Sequence, residues 1–251
     1  ELGNIPLKSC DRGDSLKHLV IAGGTSVYNP EPMADFLDIC IEGEGEDVDV
    51  ELLECYRSAK RRGLGRHAFL LEAAKIPGIY VPSLYEHTYN DDGTIREIIP
   101  LEGAPKIVTK RIVQDMDAAY YPTETIVPST QIVHDRTVLE LFRGCIRGCR
   151  FCQAGFCYRP VRPKSPERLY EIAVKSLENS GYDEMTLSSL STSDYKKLGE
   201  FADKMLDYCI PRGINLSLPS LRADNFSVEL MQKVQKVRKS GLTFAPEAGT
   251  Q

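Results

Sequence analysis

Residues 137–162 read TVLELFRGCIRGCRFCQAGFCYRPVR, a strand-like apolar pattern that runs directly into a cysteine-rich loop. We predict the strand over Thr137–Phe142, because β-branched and apolar residues dominate it. Cys145, Cys149 and Cys152 follow at the spacing C-x-x-x-C-x-x-C. In α/β folds the loop after a strand lies at the carboxyl end of the sheet, where ligands bind. The stretch therefore predicts a ligand-binding loop in the first of several βα units.

The residues after this loop repeat a strand–helix pattern to the end of the chain. The predicted elements are helix 166–180, strand 184–188, helix 194–210, strand 214–218, helix 228–239 and strand 242–245. Ser165 followed by Pro166 is a typical helix start, and Gly181 a typical helix end. A complete (β/α)8 barrel needs about 250 residues. Residues 136–251 are therefore expected to form the N-terminal part of a βα barrel that is truncated at its C-terminus.

The residues before the cysteine loop predict a second α/β region. HLVIAGG (18–24) and DICIEGEGE (38–46) each read as a strand with a glycine turn, and a helix is predicted from about Val48 to Arg62. Residues 1–75 thus resemble part of a Rossmann-like, doubly wound domain. Because this domain begins midway and the last barrel strand lacks its helix, we expect the chain to be a fragment at both ends.

A β-hairpin and a connecting segment are predicted over 76–135. Alternating, aromatic-rich residues flank Asp91-Asp92-Gly93, a turn sequence in which glycine tolerates positive φ. Leu101–Arg136 contains several prolines and no sustained period, which is typical of a connection along the surface. We place the domain boundary near Asp135.

The cysteine spacing favours an iron–sulfur cluster with one iron free of protein ligands. Three thiolates can bind three irons of a cubane, whereas a cluster held wholly by protein needs four cysteines. The fourth iron could then chelate a substrate or cofactor. The alternative is a zinc knot or a ferredoxin-like cluster with Cys157 as fourth ligand. Zinc sites prefer two separated cysteine pairs and ferredoxin loops end in Cys-Pro, whereas Cys157 precedes Tyr158.

Basic residues surround the cysteines in the sequence. They are Arg143, Arg147, Arg150, Arg159, Arg162, Lys164 and Arg168, against one acid, Glu167. Such a field would favour anions, for example the cluster, a carboxylate or a phosphate-bearing substrate. The other interpretation is a solvated loop that balances the charge of the cluster.

The loop resembles the three-cysteine motif of the radical S-adenosylmethionine (SAM) superfamily, with the aromatic Phe151 just before the last cysteine. The resemblance implies a [4Fe-4S] cluster that cleaves SAM reductively to a 5′-deoxyadenosyl radical. It also implies SAM contacts at the ends of later strands. The candidates are Phe151, Ser188, Ser189, Ser191, Ser217, Arg222 and Glu247. The superfamily's Gly-Gly-Glu element has no counterpart at Ser188–Ser191, so hydroxyls or carbonyls would replace its glutamate.

A longer likeness covers nearly the whole chain. The segments GGTSVYNPEPMADFLDICIEGEGED (23–47), GIYVPSLYEHTYNDDGTI (78–95) and ELFRGCIRGCRFCQAG (140–155) resemble uncharacterised radical SAM proteins with a B12-binding domain. The resemblance implies a cobalamin-binding type of domain over 1–75. The residues near a corrinoid would be Gly23, Gly24, Gly43, Glu44 and Gly45. The Asp-x-His-x-x-Gly element that supplies the lower histidine ligand is absent from this sequence.

Composition narrows the function classes. The formal net charge is −5 over 251 residues, which argues against a whole surface built for nucleic acid. No apolar run is long enough to span a membrane. Three of the eight cysteines lie within eight positions, so metal binding in a reducing cytoplasm is favoured over disulfides. The histidines show no metal or triad pattern.

Together these features predict a cytoplasmic radical SAM enzyme that uses a [4Fe-4S] cluster, SAM and, if the likeness extends that far, cobalamin. Methyl transfer is the leading reaction, and methylthiolation, ring rearrangement and other radical modifications stay open. The expected partners are a one-electron reductant such as flavodoxin or ferredoxin and an unidentified substrate, with only a hint of nucleic acid. The alternative is an iron–sulfur or zinc module that carries electrons or binds a partner without radical chemistry.

Overall fold

The computed structural model describes residues 3–130, 132–219, 221–222, 228–238 and 241, together with the backbone of 244–245. The fold is mixed α/β, as the sequence predicts. Two compact units divide the chain between Val113 and Gln114. Each unit has its own hydrophobic core and is described by itself below.

The first unit contains a small three-stranded sheet, two helices and a hairpin. Its elements are β1 (Ile21–Gly23), β2 (Ile39–Ile41), α1 (Gly45–Arg61), α2 (Arg66–Ala73), β3 (Ile79–Tyr80), β4 (Tyr85–Tyr89) and β5 (Ile95–Pro100). Single 3-10 turns cover Ser9–Arg12, Thr25–Tyr28, Glu31–Phe36 and Pro82–Leu84. Two of these 3-10 segments, Thr25–Tyr28 and Glu31–Phe36, connect the first two strands.

The sheet of the first unit has the order β1-β2-β3 and departs from the doubly wound pattern. β1 and β2 are parallel, with Ile21 opposite Ile39, as predicted. β3 is antiparallel to β2, with Ile41 opposite Ile79. One helix between two strands returns the chain to the end of the sheet at which the first strand began, so the two strands run parallel. Here two helices follow β2, so the chain re-enters the sheet from the opposite end and β3 runs antiparallel to β2.

The core of the first unit lies between this sheet and the two helices. Ile39, Phe69 and Ile79 are among its fully buried side chains. Asp38, at the start of β2, is buried with a side chain that is 0% exposed and is paired with Arg12 and Arg66. The hydroxyl of Ser9 also donates to Asp38 at 2.7 Å. These bonds attach the first residues of the unit to its sheet.

The predicted β-hairpin is confirmed. β4 and β5 pair antiparallel, with Tyr85 opposite Pro100. Gly93 has φ +80° and its N–H donates to the carbonyl of Asn90 at 3.0 Å. The turn therefore uses the glycine for the left-handed conformation that other residues avoid.

The second unit contains parallel strands connected by helices. Its elements are β6 (Thr137–Glu140), β7 (Phe142–Arg143), α3 (Ala154–Cys157), β8 (Arg162–Pro163), α4 (Pro166–Ser180), β9 (Glu184–Ser188), α5 (Leu198–Cys209), β10 (Asn215–Ser217), β11 (Leu221–Arg222), α6 (Val228–Val234) and β12 (Phe244–Ala245). Single 3-10 turns cover Thr192–Asp194 and Ile210–Arg212. The predicted first strand is split into β6 and β7, α6 is shorter than predicted, and residues 242–243 of the last predicted strand lie outside the described residues.

β6, β9 and β10 form a three-stranded parallel sheet in the order β10-β9-β6. Leu139 and Leu187 on this sheet are fully buried against Leu169 of α4 and Phe201 of α5. β11 and β12 form a separate parallel pair. Among the described residues these strands do not close into a barrel, so the structure supports the repeated βα units but not a closed βα barrel.

The ends of α4 follow the rules that predicted them. The hydroxyl of Ser165 accepts a hydrogen bond from the N–H of Arg168 at 3.2 Å, and Pro166 occupies the first helical position. Gly181 closes the helix with φ +72°, and its N–H donates to the carbonyl of Leu177. The helix begins and ends where predicted because both signals act within one turn of the chain.

The structure places the division between units earlier than the predicted boundary near Asp135. Residues 101–113 of the connecting segment belong to the first unit, and the residues after Val113 pack on the second unit. Asp117 Oδ1 accepts from the N–H of Ser165 at 2.7 Å, and the hydroxyl of Tyr121 donates to the carbonyl of Val138 at 2.6 Å. Prolines and missing periodicity marked this segment as a connection, but they carry no information on which unit it covers.

Candidate metal centre

The three cysteines lie on a closed loop, 144–161, between β7 and β8. This loop follows β6, at the carboxyl end of the parallel sheet, as predicted. The two short strands pair antiparallel, with Phe142 opposite Pro163 and Arg143 opposite Arg162. The ladder brings both ends of the loop together, so the cysteines are presented by a loop with a fixed base.

Gly144 allows the chain to leave this ladder. Its φ is +92°, and a Cβ atom there would lie 2.6 Å from the carbonyl oxygen of Pro160 and 2.8 Å from that of Tyr158. A side chain at this position would meet backbone on the returning arm of the loop. The residue before the first cysteine is therefore glycine for both conformational and steric reasons.

The cysteines differ in exposure and backbone contacts. Cys145 is buried, whereas Cys149, Cys152 and Cys157 are half-buried. The N–H of Arg147 donates to Cys145 Sγ at 3.4 Å, and the N–H of Cys152 donates to the carbonyl of Cys149 at 3.1 Å. Cys157 is the last residue of the short helix α3.

The donor set fits an iron–sulfur cluster better than a single ion. Among the described residues, no three His, Cys, Asp or Glu side chains are grouped so as to hold one metal ion. In a cubane each thiolate binds a different iron, so its ligands need not converge on one point. The three thiols of the loop match in number the three irons that such a cluster would bind to protein.

Two basic residues at the base of the loop are paired with one acid. Arg143 Nε and Nη2 donate to the two carboxylate oxygens of Glu140, each at 3.0 Å. Lys164 Nζ, whose side chain is 1% exposed, donates to the carbonyl and a carboxylate oxygen of Glu140 at 3.2 Å. Burial alone would raise the pKa of Glu140, but the Arg143 hydrogen bond and the Lys164 charge outweigh it and lower that pKa. Glu140 therefore stays ionised and joins both arms of the loop.

A second ion pair attaches the first arm of the loop, at Arg147, to the segment after β9. Arg147 Nε donates to Asp194 Oδ2 at 2.9 Å, and its Nη2 donates to the other carboxylate oxygen. The sequence-based interpretation set seven basic residues against Glu167 alone. The structure corrects it, because the carboxylates of Glu140 and Asp194 form ion pairs with three of those residues, Arg143, Lys164 and Arg147.

A cavity of about 550 Å³ lies beside the first cysteine. Its walls are Asp117, Phe142, Cys145, Ile146, Val161, Pro163, Lys164, Ser165, Pro166, Ser191, Asp194, Tyr195, Lys196 and Lys197. Ser191 is buried, and its Oγ has no hydrogen-bond partner among the described residues. A small molecule in this cavity would therefore be next to Cys145.

The predicted SAM contacts fall into different surroundings. Ser188 is half-buried at the end of β9, opposite Glu140 on β6, and Ser217 ends the neighbouring strand β10. Ser189 Oγ is hydrogen-bonded to the hydroxyl of Thr192 at 3.0 Å. Arg222 ends β11, and Phe151 is 78% exposed on the cysteine loop. Glu247 lies outside the described residues. Ser188 and Ser217 thus share the sheet edge from which the cysteine loop departs.

The predicted corrinoid contacts are partly used by the first unit itself. A Cβ atom on Gly43 would lie 2.1 Å from the carbonyl oxygen of Arg111, and Glu44 Oε2 accepts from the N–H of Val113 at 2.6 Å. Gly45 begins α1, with the Asp49 carboxylate packed against it. Gly23 ends β1, and a Cβ atom on Gly24 would have open space around it. Only the β1 end therefore keeps room for a ligand.

Sequence reasoning missed Glu140 and Asp194 as parts of the site. The available signal was position, since Glu140 ends the strand before the cysteines and Asp194 follows the next strand. Acidic residues at adjacent strand ends are brought together by a parallel sheet. Their pairing with particular arginines depends on contacts between distant segments and has no local pattern.

One family model matches the first part of the chain. Residues 1–82 match the family model described as radical SAM proteins, N-terminal. This match supports the radical SAM superfamily. It does not confirm a cobalamin-binding domain over 1–75.

Two curated relatives match most of the chain. An uncharacterised protein of Methanocaldococcus jannaschii is 29% identical over 235 residues, which cover 93% of this chain and 44% of that protein. The anaerobic magnesium-protoporphyrin IX monomethyl ester cyclase of Cereibacter sphaeroides is 24% identical over 232 residues, covering 87% of this chain and 32% of that enzyme. The chain thus spans less than half the length of these relatives.

Solved structures of the radical SAM methyltransferase TsrM from Kitasatospora setae share the fold. One, with tryptophan substrate and a SAM analogue bound, has a TM-score of 0.53 at 14% identity and covers 91% of this chain and 41% of that one. Another, with cobalamin and a [4Fe-4S] cluster bound, has a TM-score of 0.52 at 15% identity. Within the described residues, no helix is long and apolar enough to cross a membrane.

Proposed function

On the premise that this chain is a radical SAM protein, which the family model and the relatives support, we propose that it is part of a radical SAM enzyme. Cys145, Cys149 and Cys152 bind a [4Fe-4S] cluster, and the enzyme modifies an unidentified substrate. The carrying observation is the position of these cysteines, on a loop with a fixed base at the carboxyl end of the first strand of a parallel sheet. When bound, the cluster supplies the electron that cleaves SAM to methionine and a 5′-deoxyadenosyl radical.

The protein's own residues hold and shield this site. Glu140, Arg143 and Lys164 fix the two arms of the loop, so the thiols are presented before a cluster binds. The cavity beside Cys145 provides adjacent space for SAM. The hydroxyl of Ser191, which has no hydrogen-bond partner within the described part of the chain, is one polar contact. An apolar part of the cavity wall is formed by Phe142, Ile146, Val161 and Pro163. These side chains exclude water locally, and a radical reaction needs water to be excluded.

Further SAM contacts belong to the same proposal. Ser188, Ser189 and Ser217 contribute hydroxyls at the sheet edge, and Arg222 holds the methionine carboxylate. Phe151 lies next to the last cysteine, and Glu247 takes a ribose hydroxyl or the amino group. Arginine suits a carboxylate because its planar fork can donate two hydrogen bonds.

A corrinoid is proposed as the third cofactor, with methyl transfer as the reaction. The support is the TsrM structure with cobalamin bound and the open space at Gly24. Adding hydroxocobalamin to the apoprotein should give a bound, coloured complex after gel filtration. A colourless protein fraction would contradict cobalamin binding. The main reason for proposing methyl transfer would then be lost.

The proposed partners are a one-electron reductant, such as flavodoxin or ferredoxin, and a substrate that could be a nucleic acid. The exposed Ile146 and Phe151 on the cysteine loop provide apolar surface for such contacts. Three cysteines within eight positions suit a metal site rather than disulfides, which supports placing the protein in a reducing cytoplasm.

Anaerobic reconstitution tests the proposed cluster. With iron and sulfide the chain should bind about four irons, and the electron paramagnetic resonance spectrum of the reduced cluster should change when SAM is added. SAM perturbs the spectrum only if one iron is open to it. A protein that binds zinc without iron, or a cluster whose spectrum ignores SAM, would contradict the proposal.

Matched cysteine variants separate the proposal from the alternative of a four-ligand module. Cys149→Ala should lose most of the reconstituted iron, whereas Cys157→Ala should retain it, because only three thiolates are needed. Both positions are half-buried in the same loop, so the two variants perturb similar surroundings. Equal iron loss from both would favour the electron-transfer or zinc module.

A further inference from the structure

The first arm of the cysteine loop is attached to the rest of the second unit through Arg147. This residue lies between Cys145 and Cys149, and both ends of its guanidinium fork engage the carboxylate of Asp194. The Asp194 side chain is 6% exposed, and that of Arg147 is 33% exposed. A two-bond contact of this kind fixes orientation as well as distance.

Asp194 stands on a well-supported segment. It ends the 3-10 turn Thr192–Asp194, and its N–H donates to the carbonyl of Ser191 at 2.9 Å. Thr192 is 0% exposed, and the buried Tyr195 donates its hydroxyl to the carbonyl of Lys164 at 2.8 Å. The Asp194 carboxylate is therefore held by the segment that follows β9, and it contacts the loop that follows β6 and β7.

Arg159 Nη2 donates to the carbonyl of Arg147 at 3.3 Å, but the residues on either side of Arg147 have few neighbours. Ile146 is 65% exposed, and a Cβ atom on Gly148 would have no neighbour within 4 Å. The N–H of Arg147 donates to Cys145 Sγ at 3.4 Å. A change in the position of Arg147 would therefore be transmitted to the first cysteine and to the chain leading to the second.

We propose that Asp194 is a positioning residue for the cluster-binding loop. Through Arg147 it holds the span from Cys145 to Cys149 in place and keeps Cys145 buried. The inference rests on the proposed function, because its purpose is to present thiolates to a cluster. Residues that orient metal ligands typically change metal affinity by about 10-fold to 100-fold when they are replaced.

The first test uses the apoprotein and needs no cluster. In Asp194→Asn, alkylation of Cys145 by iodoacetamide, followed by peptide mass spectrometry, should be about 10-fold faster, because the loop loses its ionic attachment. The buried Cys40 and Cys209 serve as internal standards and should react as in the wild type. If Cys145 reacts at the wild-type rate in the variant, the inference is overturned.

Asp203→Asn is the matched control. Asp203 also belongs to the second unit and accepts from Lys233 Nζ at 3.0 Å, but it lies on α5 with an exposed side chain. It should leave the alkylation of Cys145 unchanged. An equal increase in both variants, or an increase at Cys209 together with Cys145, would mean a general loss of stability and would overturn the positioning role.

The second test uses the reconstituted protein. Iron release to a ferrous chelator should be about 10-fold faster in Asp194→Asn than in the wild type, while Arg147→Lys, which keeps the charge but not the fork, should lie between them. The double variant Asp194→Asn with Arg147→Gln should be no faster than the more affected single variant, because both remove the same contact.

The outcomes separate the two proposals. Suppose that the wild type binds no cluster, while Asp194→Asn still speeds the alkylation of Cys145. This result refutes the proposed function, but the attachment of the loop by Asp194 stands. A wild-type cluster that Asp194→Asn releases at the wild-type rate overturns only the role of Asp194. If Asp194→Asn does not fold, the same comparisons are made with Arg147→Gln, whose side chain is more exposed.

Discussion

Glu42 is a half-buried carboxyl at the end of β2 in the first unit. Burial raises its pKa from 4.5 to about 7, and the described part of the chain contains no ion-pair partner for it. The pKa of the neighbouring Cys40 thiol is raised to about 12. Burial is the main cause, and the negative charges of Glu42 and Glu31 add to it. At neutral pH this edge of the sheet therefore holds a carboxyl near half-protonation and an unreactive thiol.

The raised pKa of Glu42 predicts a pH-dependent stability. The folded state binds a proton more tightly than the unfolded state, so the contribution is complete below pH 4.5 and is lost as pH rises through about 7. Glu42→Gln, which resembles the protonated acid, should raise the thermal midpoint at pH 8 by about 2–4 °C. At pH 5 the variant and the wild type should unfold at similar temperatures, as measured by circular dichroism.

Glu97→Gln, on the exposed face of the hairpin, is the control for a general effect of removing a negative charge. Its thermal midpoint should differ from that of the wild type by the same amount at pH 5 and at pH 8. A Glu42→Gln variant that is equally stabilised at both pH values would contradict the assignment of the effect to the Glu42 proton.

At the scale of elements, the cysteine loop owes its shape to a two-residue ladder, a glycine and two ion-pair groups. The ladder and Gly144 close the loop, while Glu140 attaches its base and Asp194 attaches its first arm at Arg147. The loop is thus held by contacts with two different βα units. Its conformation does not depend on a large packed surface of its own.

Gly144→Ala should destabilise this element. The substitution places a Cβ atom 2.6 Å from a backbone oxygen at a φ of +92°, and such strain costs about 1–3 kcal/mol. Denaturant unfolding should show the loss, and reconstituted iron should fall because the ladder no longer closes in the same way. Gly148→Ala in the same loop is the control, since it has open space and no positive φ. Equal effects at both glycines would refute the close-approach explanation.

The direction of β3 is also decided at the scale of elements. Helix α1 ends at Arg61 and α2 begins at Arg66, so the chain turns back before it reaches the sheet again. The sequence analysis detected α1 but not α2 as a separate helix. With α1 alone between them, β3 would run parallel to β2. Because α2 is also present, β3 runs antiparallel to β2.

For the whole molecule, the important feature is that the two units have separate cores. Buried residues of the first unit come from β2, α1, α2 and β3, and those of the second come from β6, β9, β10, α4 and α5. Asp38 belongs only to the first unit, where Arg12 and Arg66 neutralise it. Burial would raise the pKa of Asp38, but the hydrogen bonds from Arg66 and Ser9 outweigh it and lower that pKa.

Asp38→Asn should therefore destabilise one unit selectively. Removing a buried charge leaves two arginines without their partner, at a cost of about 3–5 kcal/mol. Hydrogen exchange measured by mass spectrometry should become faster in peptides from residues 1–113 and should stay unchanged in 137–217. Asp35→Asn, at an exposed ion pair with Lys8, should change neither region. Equal acceleration in both regions would mean that the units unfold together.

Features that depend on near neighbours could be predicted from the sequence alone. The cysteine spacing, the start and end of α4 at Ser165 and Gly181, and the hairpin around Gly93 each act within a few residues. The repeated βα pattern was predicted for the same reason, because apolar periodicity reflects which face of each element is buried. These features identify the fold class and the candidate metal ligands.

Contacts between distant residues were decided only by the tertiary structure. Arg147 and Asp194 are 47 positions apart, Asp117 and Ser165 are 48 apart, and Glu44 and Val113 are 69 apart. No local pattern specifies which acid meets which base, which unit a connecting segment covers, or whether a glycine faces a ligand or a neighbouring backbone. These outcomes follow from how the elements pack, and a charged residue's partner is set by distance in space.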